Sequence, residues 1–591
     1  MIETVRGNVS RAAEANIEKW LTESKYHEYV GEVERMIARE QWSELEDAFF
    51  KDVEFGTGGR RGTTGVGSNR INRVTIGESA QALCEYVAST DGQAAQKGIV
   101  IACDTRLSSK ELSEFTASVC AANGFRTYLF DSFRATPELS FAVRHLSAAA
   151  GIVISASHNP PADNGFKAYW SDGGQIVPPH DKGILEKAAH ANEIRSVNFE
   201  EAVSDGRIQM IGSEVDEAYI TAVVAESEGD SRDLSIVYSP LHGAGQSSVL
   251  PVLKAAGFNR ISLVEAQMTP DGNFPTVPNG KPNPEEHAAN QLAVEQMLAE
   301  EADIAITNDP DADRIGVMVR HKGEVVYLNG NQLAVLAADY ALKKLSEKGQ
   351  LNSRHFIAKT IVTTDMLSAL AKAYGVQLYG SMLVGFKYIG ELIRQKENTT
   401  EQFVIGGEES YGLLKGTYAR DKDGAAGALV LAEYAAELRE QSKTLYDRLL
   451  ELYGEHGIYL ETLTNVQLPG ANGFTKMQAI MQSLRQDTPQ VLAGYAVSAI
   501  EDYKTLTHTS FLNGSTEAIS CQQGDVFVFE LGDKKRRVTV RPSGTEPKLK
   551  LYVQWHEAAK SDSPEEIERQ VAELRTMLDD LCGALEAQIT G

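Results

Sequence analysis

The sequence predicts an α/β protein of several domains, closed by a terminal domain of α+β texture. Three observations predict it. Short apolar runs alternate with amphipathic stretches from Gly98 onward, the pattern of strands and helices in turn. The chain has 591 residues, whereas a single hydrophobic core stops growing near ~250–300 residues. Near the C-terminus the alternation gives way to consecutive strands and one closing helix.

The first fifty residues read as helix. Ile17, Trp20 and Leu21, then Val33, Met36 and Ile37, fall at helical spacings among Glu, Lys and Arg. The apolar runs follow in "GIVIACDTR", "GIVISASHNP", "LSIVYSPLHGAG", "ADIAITNDPDADR", "HFIAKTIVTT" and "EQFVIGGEES", most ending in Gly, Asp or Ser. Helix-like segments such as 110–123 and 332–344 lie between them. Mostly parallel sheets covered by helices follow from this alternation. In such sheets ligands sit beyond the carboxyl ends of the strands, and the polar clusters lie at those ends. "VFVFEL", "RRVTVRPSG" and "KLKLYVQW" read as strands joined by short turns. In the closing helix Ser563 fits the cap and Pro564 the first position, and Ile567, Val571, Leu574, Leu578, Leu581 and Leu585 repeat every three or four residues. Divisions are expected near residues 215, 328 and 460, giving domains 1–215, 216–328, 329–460 and 461–591.

Hydrophobic residues make up 42% and charged residues 24%, ordinary for a globular chain. A net charge of −25 opposes nucleic acid and anionic membrane. The basic run Lys534 to Arg537 is short, is expected just before a strand, and does not reverse that field. An anionic substrate therefore needs a pocket that gathers positive charge locally. The five cysteines, Cys84, Cys103, Cys120, Cys521 and Cys582, are odd in number, sparse and without C-x-x-C, which argues against a disulfide framework or zinc site and fits a reducing cytoplasm. The N-terminus has no apolar signal region, and no apolar stretch reaches the ~18 residues that span a bilayer.

Four constellations carry chemistry. Ser157 and His158 stop the strand 151–154 abruptly, with Lys167 after an expected Asn164-Gly165 turn. A serine hydroxyl needs a proton acceptor or a cation to react; read alone, the cluster is also what a polar turn contains. In "NDPDADR", Asp309, Asp311 and Asp313 alternate after a strand. Such density calls for a hard cation with oxygen ligands, Mg²⁺ or Ca²⁺. An EF-hand is excluded, because Arg314 and Arg320 stand where its Gly and Glu belong. "GGEESYG" sets paired glutamates on a glycine-flanked loop, suited to sugar hydroxyls and equally to an exposed acidic loop. "RPSGTEPK" gathers the parts of a phosphate cradle between two strands. "FGTGGRRG" is a further anion candidate.

Taken in this order, "FGTGGRRG", "SASHNP", "DPDADR", "GEES" and "RPSGTEP" resemble the α-D-phosphohexomutase superfamily from about Asp52 to the C-terminus. The long helical N-terminus resembles most the branch of larger phosphoglucomutases, which includes phosphopentomutases. The resemblance implies three related α/β domains with mixed sheets and a smaller α+β domain around a central cleft. It implies that Ser157 is the phosphoserine, with His158 and Lys167 assisting proton transfer and charge, and Arg61 the arginine of the N-terminal motif. Asp309, Asp311 and Asp313, with the Ser157 oxygen, match the ligands of one Mg²⁺. Arg314, Lys387 (in "VGFKYIG", taken as a loop), Glu408 and Ser410 match substrate contacts. Arg541, Ser543, Gly544 and Thr545 match the site of the phosphate that does not react. Arg60 stands where the family has an apolar residue, open to phosphate or to solvent. The implied reaction interconverts glucose 1-phosphate and glucose 6-phosphate through glucose 1,6-bisphosphate, which also activates. The "GEESYG" form favours glucose; phosphopentomutase, phosphomannomutase, a metal-dependent phosphatase that hydrolyses its own phosphoserine and a non-catalytic sugar-phosphate binder are the alternatives. Sugar phosphates are the implied partners, without nucleic acid or membrane, and no oligomeric state is implied.

Overall fold

The computed structural model describes residues 2–53, 55–56, 59–189, 193–469, 472–544 and 547–590. Six of the apolar runs become the strands Ile99–Cys103, Ala150–Ile154, Ile236–Ser239, Ile304–Asn308, His355–Lys359 and Gln402–Gly407. The first five are buried at every position. A continuous apolar run needs cover on both faces, and helices on both sides of a parallel sheet supply it.

Three mixed sheets result. In the first, Ile99–Cys103, Ala150–Ile154, Thr127–Phe130 and Ile208–Ile211 run parallel. That sheet then continues antiparallel through Asp163–Trp170, Gly59–Thr63 and Phe55–Gly56. The second places Ile236–Ser239 between parallel neighbours Ile304–Asn308 and Ile261–Leu263, then turns antiparallel into Ile315–His321 and Glu324–Leu328. The third sets His355–Lys359 between parallel Gln377–Tyr379 and Gln402–Gly407, with Leu413–Lys415 antiparallel at its edge. The last sheet is antiparallel throughout, built on Ile458–Gln467, Lys548–Glu557, Asp533–Pro542, Phe527–Leu531 and Tyr495–Asp502. Helices Gly473–Gln486 and Pro564–Thr590 complete it, so this domain is α+β.

The N-terminal helices Arg11–Thr22, Val30–Ala38 and Trp42–Phe49 form a satellite core. Ile17, Trp20, Val33, Ile37, Leu45 and Phe49 close on Val66 and Val74 of the first α/β domain. Trp20 is buried and stacks on Tyr26 with ring centroids 4.4 Å apart.

Three local expectations are corrected. Asn164 and Gly165 form no turn; they lie inside strand Asp163–Trp170. Glycine is needed there because a Cβ would come within 2.6 Å of the Arg60 carbonyl and 2.7 Å of the Ser155 carbonyl. The basic run at 534–537 is part of strand Asp533–Pro542 rather than ahead of it, and Arg536 and Arg537 pair with Glu557 and Glu501. "VGFKYIG" is a loop only as far as Gly385, after which helix Phe386–Lys396 begins. All five cysteines are free, and among the described residues no helix is long and apolar enough to cross a membrane.

Gly165→Ala is expected to force the two strands flanking the site apart and cost at least about 2 kcal/mol. A clear fall in melting temperature checks it; an unchanged melt contradicts the close approach.

Candidate active site

Strand Ala150–Ile154 delivers Ser157 with a left-handed backbone, φ +53°. That conformation costs a residue with a Cβ roughly 1–2 kcal/mol, so its surroundings must hold it. The Ser155 hydroxyl accepts from the Ser157 N–H at 2.8 Å. The Ser157 hydroxyl donates to Asp309 Oδ2 at 2.6 Å and lies 3.2 Å from His158 Nδ1. Burial, with Arg314 and Arg61 nearby, holds the His158 imidazole well below its usual range. It is therefore neutral near pH 7, and one ring nitrogen has a lone pair free to accept.

Asp309, Asp311 and Asp313 leave the end of strand Ile304–Asn308 fully buried, with an oxygen from each within 4.8 Å of the others. Burial, then Asp311 and Asp313, push the Asp309 carboxyl well above the usual range. Burial pushes Asp311 up too, but the Lys167 ammonium in contact with it, joined by Thr136 and Lys422, outweighs burial and holds it well below. Lys167 also lies 3.6 Å from Asp313, and Lys422 pairs with Asp313 at 2.8 Å. Thr136 donates its hydroxyl to Asp311 at 2.7 Å. Two lysines thus face three carboxylates, and Asp311 Oδ1 and Asp313 Oδ1 have no hydrogen-bond partner. Orphaned buried oxygens in a clustered all-oxygen set fit a hard divalent cation of the Mg²⁺ type.

The other predicted residues converge on this pair of loops. Arg314 follows the aspartates, pairs with Glu285 and is felt by Glu408. Arg61, on strand Gly59–Thr63, has its guanidinium pulled below the usual range by burial and by Arg314 and Arg106, with Asp311 and Asp313 opposing. Its neighbour Arg60 goes neither to phosphate nor to solvent: it pairs with Glu78 at 3.3 Å and donates to the Thr75 carbonyl at 2.7 Å. Glu408 is buried and accepts from the Gly385 N–H at 3.0 Å. Burial and Glu409 push its carboxyl up to about 7. Ser410 sits half-buried at the loop tip. Lys387 is buried in the first turn of its helix, and burial, with Arg541 adding, pulls its ammonium down. Arg541 ends strand Asp533–Pro542 directly across from Lys550. Ser543 closes the turn with its N–H on the Lys548 carbonyl at 2.9 Å, and Gly544 is exposed. Thr545 lies outside the described residues.

Sequence reasoning missed Lys422, Thr136, Glu285 and Lys550. The first three come from segments outside the motifs, joined to them by tertiary folding. Lys550 had a signal: in "KLKLYV" the alternation puts Lys548 and Lys550 on one face of a strand. Burial, Arg541 and Lys548 pull its ammonium down, while Glu409 and Glu285 oppose them. The terminal α+β domain thereby brings its cations opposite the glutamate loop.

This fold is the phosphohexomutase architecture: three mixed α/β domains and a terminal α+β domain. The sequence matches the family description Phosphoglucomutase/phosphomannomutase in all four parts: alpha/beta/alpha domain I over residues 52–195, domain II over 217–323, domain III over 329–454 and the C-terminal domain over 463–575. It is 37% identical over 532 residues to the phosphoglucomutase of Staphylococcus aureus (strain USA300), covering 87% of this chain and 92% of that one. Among solved structures, the open form of Paramecium pp63/parafusin, a phosphoglucomutase, aligns with a TM-score of 0.65 at 17% identity over 91% of this chain and 95% of that chain. A phosphoglucomutase/phosphomannomutase family protein from Burkholderia thailandensis aligns at 0.63 and 20% identity, over 90% and 97%. The chain belongs to the phosphoglucomutase/phosphomannomutase family and is a mutase, an enzyme of the isomerase class.

Because Glu408 binds its proton more tightly in the fold than at its ordinary 4.5, folding is favoured below that value and loses up to about 3 kcal/mol as pH rises to about 7. Relative to Glu408→Gln, the wild-type melting temperature is expected to fall between pH 5 and 8. Parallel profiles for the two proteins contradict this assignment.

Proposed function

We propose that this mutase interconverts glucose 1-phosphate and glucose 6-phosphate, with Ser157 as the phosphate carrier and glucose 1,6-bisphosphate as intermediate and activator. The observation that supports it most is the Ser157 hydroxyl held between Asp309 and a neutral His158. The S. aureus relative's name, phosphoglucomutase, supports glucose as the sugar.

In the forward half-reaction the bond from phosphorus to Ser157 Oγ breaks and a bond to the free sugar hydroxyl forms. The hydroxyl proton passes to His158, and the Ser157 oxygen leaves as the alkoxide that accepts phosphate in the second transfer. Lys167 and Arg61 balance charge as it shifts to that oxygen. The bisphosphate then turns within the site, its other phosphoryl group returns to Ser157, and the isomer leaves. Arg541, Lys550, Ser543, Gly544 and Thr545 hold whichever phosphate is not reacting, with Lys387 and Arg314 beside the sugar. Glu408 and Ser410 bind sugar hydroxyls. Asp309, Asp311 and Asp313, with the Ser157 oxygen, would hold one Mg²⁺, which neutralises phosphoryl oxygens when bound. The division at residues 215, 328 and 460 belongs to the same reading: serine loop, aspartate loop, glutamate loop and phosphate cradle each occupy one part.

Ser157→Ala is expected to lower turnover by on the order of 10⁴-fold or more while the melt stays native; wild-type-like turnover refutes the carrier role. Coupled assays with glucose, mannose and ribose 1-phosphates identify the sugar, and a preference for mannose or ribose overturns the glucose assignment. Asp311→Ala is expected to raise the Mg²⁺ requirement by about 10²-fold, and an unchanged requirement removes it from the metal set.

A further inference from the structure

The left-handed Ser157 needs a group that holds it, and none of the residues given a chemical role above does so. Arg106 does. It follows strand Ile99–Cys103, is 3% exposed, and lies behind the serine loop. Its two terminal nitrogens donate to four backbone carbonyls of that one loop: Ser157, Asn159, Pro160 at 2.7 Å and Asp163 at 2.9 Å. A guanidinium presents its donors in a rigid planar fork. Four carbonyls can be gathered on it only when the loop between them is folded in one way.

The fork is itself fixed from both sides. Asp104 Oδ2 lies 3.2 Å from Arg106 Nε, and Asp104 Oδ1 accepts from the Arg106 N–H at 3.0 Å and the Ser109 hydroxyl at 2.6 Å. On the other side the second α/β domain covers it. The Phe274 ring centroid is 5.3 Å from the guanidinium carbon. A Cβ on Gly272 would come within 2.4 Å of the Leu107 nitrogen, and one on Gly280 within 2.8 Å of the Pro161 ring. The serine loop is therefore pinned between Arg106 and the domain that carries the aspartates.

We propose that Arg106 is a positioning residue for phosphoryl transfer: it fixes the backbone of Ser157, and so aims the Ser157 oxygen at Asp309 and His158. Arg106 then governs the rate of transfer and leaves sugar-phosphate binding to the other loops. The inference rests on the phosphoserine reading above.

Arg106→Lys keeps the charge but cannot reach four carbonyls. Steady-state kinetics and mass spectrometry of the Ser157 peptide test it on the full chain. Misaligning the oxygen is expected to lower kcat by about 10²-fold with KM for glucose 1-phosphate within about threefold of wild type. The variant still acquires phosphate on Ser157 from glucose 1,6-bisphosphate, slowly. An unchanged kcat, or a loss carried by KM, overturns the inference. If Arg106→Lys does not fold, Asp104→Asn keeps the shape and removes the charge that orients the guanidinium. About a tenfold kcat loss at constant KM is then expected, and an unchanged kcat overturns the proposal. Wild-type protein that never carries phosphate on Ser157 overturns the phosphoserine reading itself. Phosphorylated wild type with an equally fast Arg106→Lys overturns only the role of Arg106.

Discussion

Three carboxylates buried in one loop must be neutralised, and the loop that carries them cannot do so alone. Each unpaired buried charge costs several kcal/mol. The compensation for Asp309, Asp311 and Asp313 comes from other parts of the chain. Lys167 reaches them from strand Asp163–Trp170 of the first α/β domain, and Thr136 from the start of helix Thr136–His145. Lys422 reaches them from just ahead of helix Gly424–Glu440 of the third. The backbone repeats the pattern: the Thr136 N–H donates to the Asp311 carbonyl and the Gly424 N–H to the Ala312 carbonyl. The acidic loop is paired only when the three α/β domains are docked on one another. Assembly of the domains and electrostatics of the site are one constraint.

The fourth domain stands in contrast. It contributes Arg541 and Lys550 to the shared space, and Arg541 repels both Lys550 and Lys387. In a chain of net charge −25, such a concentration of cations is a local exception. Burial and repulsion from Arg541 pull Lys387 and Lys550 down, a cost that an anion in the site relieves. One end of the site is acidic and suited to a cation, while the other is basic and suited to an anion. A substrate with a phosphate at either end matches that polarity.

The six strands were legible because each apolar run needs cover on both faces and ends in a polar cluster. Ser157, the aspartates and Glu408 were legible as residues because they sit at those ends, and Arg541 because it opens the cradle between two later strands. Their contacts were not. Lys167 was expected after a turn and instead stands on a strand, because Gly165 serves close packing of strands rather than reversal of the chain. Arg60 and Arg61 read alike in sequence, and only Glu78, on a helix elsewhere, draws Arg60 away. Lys422 and Thr136 carry no motif, since their roles arise from segments that meet only in the folded chain; Arg106 ends one of the quoted runs, and only the fold shows the carbonyls it gathers. The family resemblance supplied the order of the loops, and the fold supplied the counter-charges.

The central claim is that Ser157 carries the phosphate. Peptide mass spectrometry of the purified chain, before and after glucose 1,6-bisphosphate and then with excess glucose 1-phosphate, tests it most directly. The account predicts a single phosphate on the Ser157 peptide, gained from the bisphosphate and lost to the monophosphate. A peptide that stays unmodified under all three conditions would contradict it.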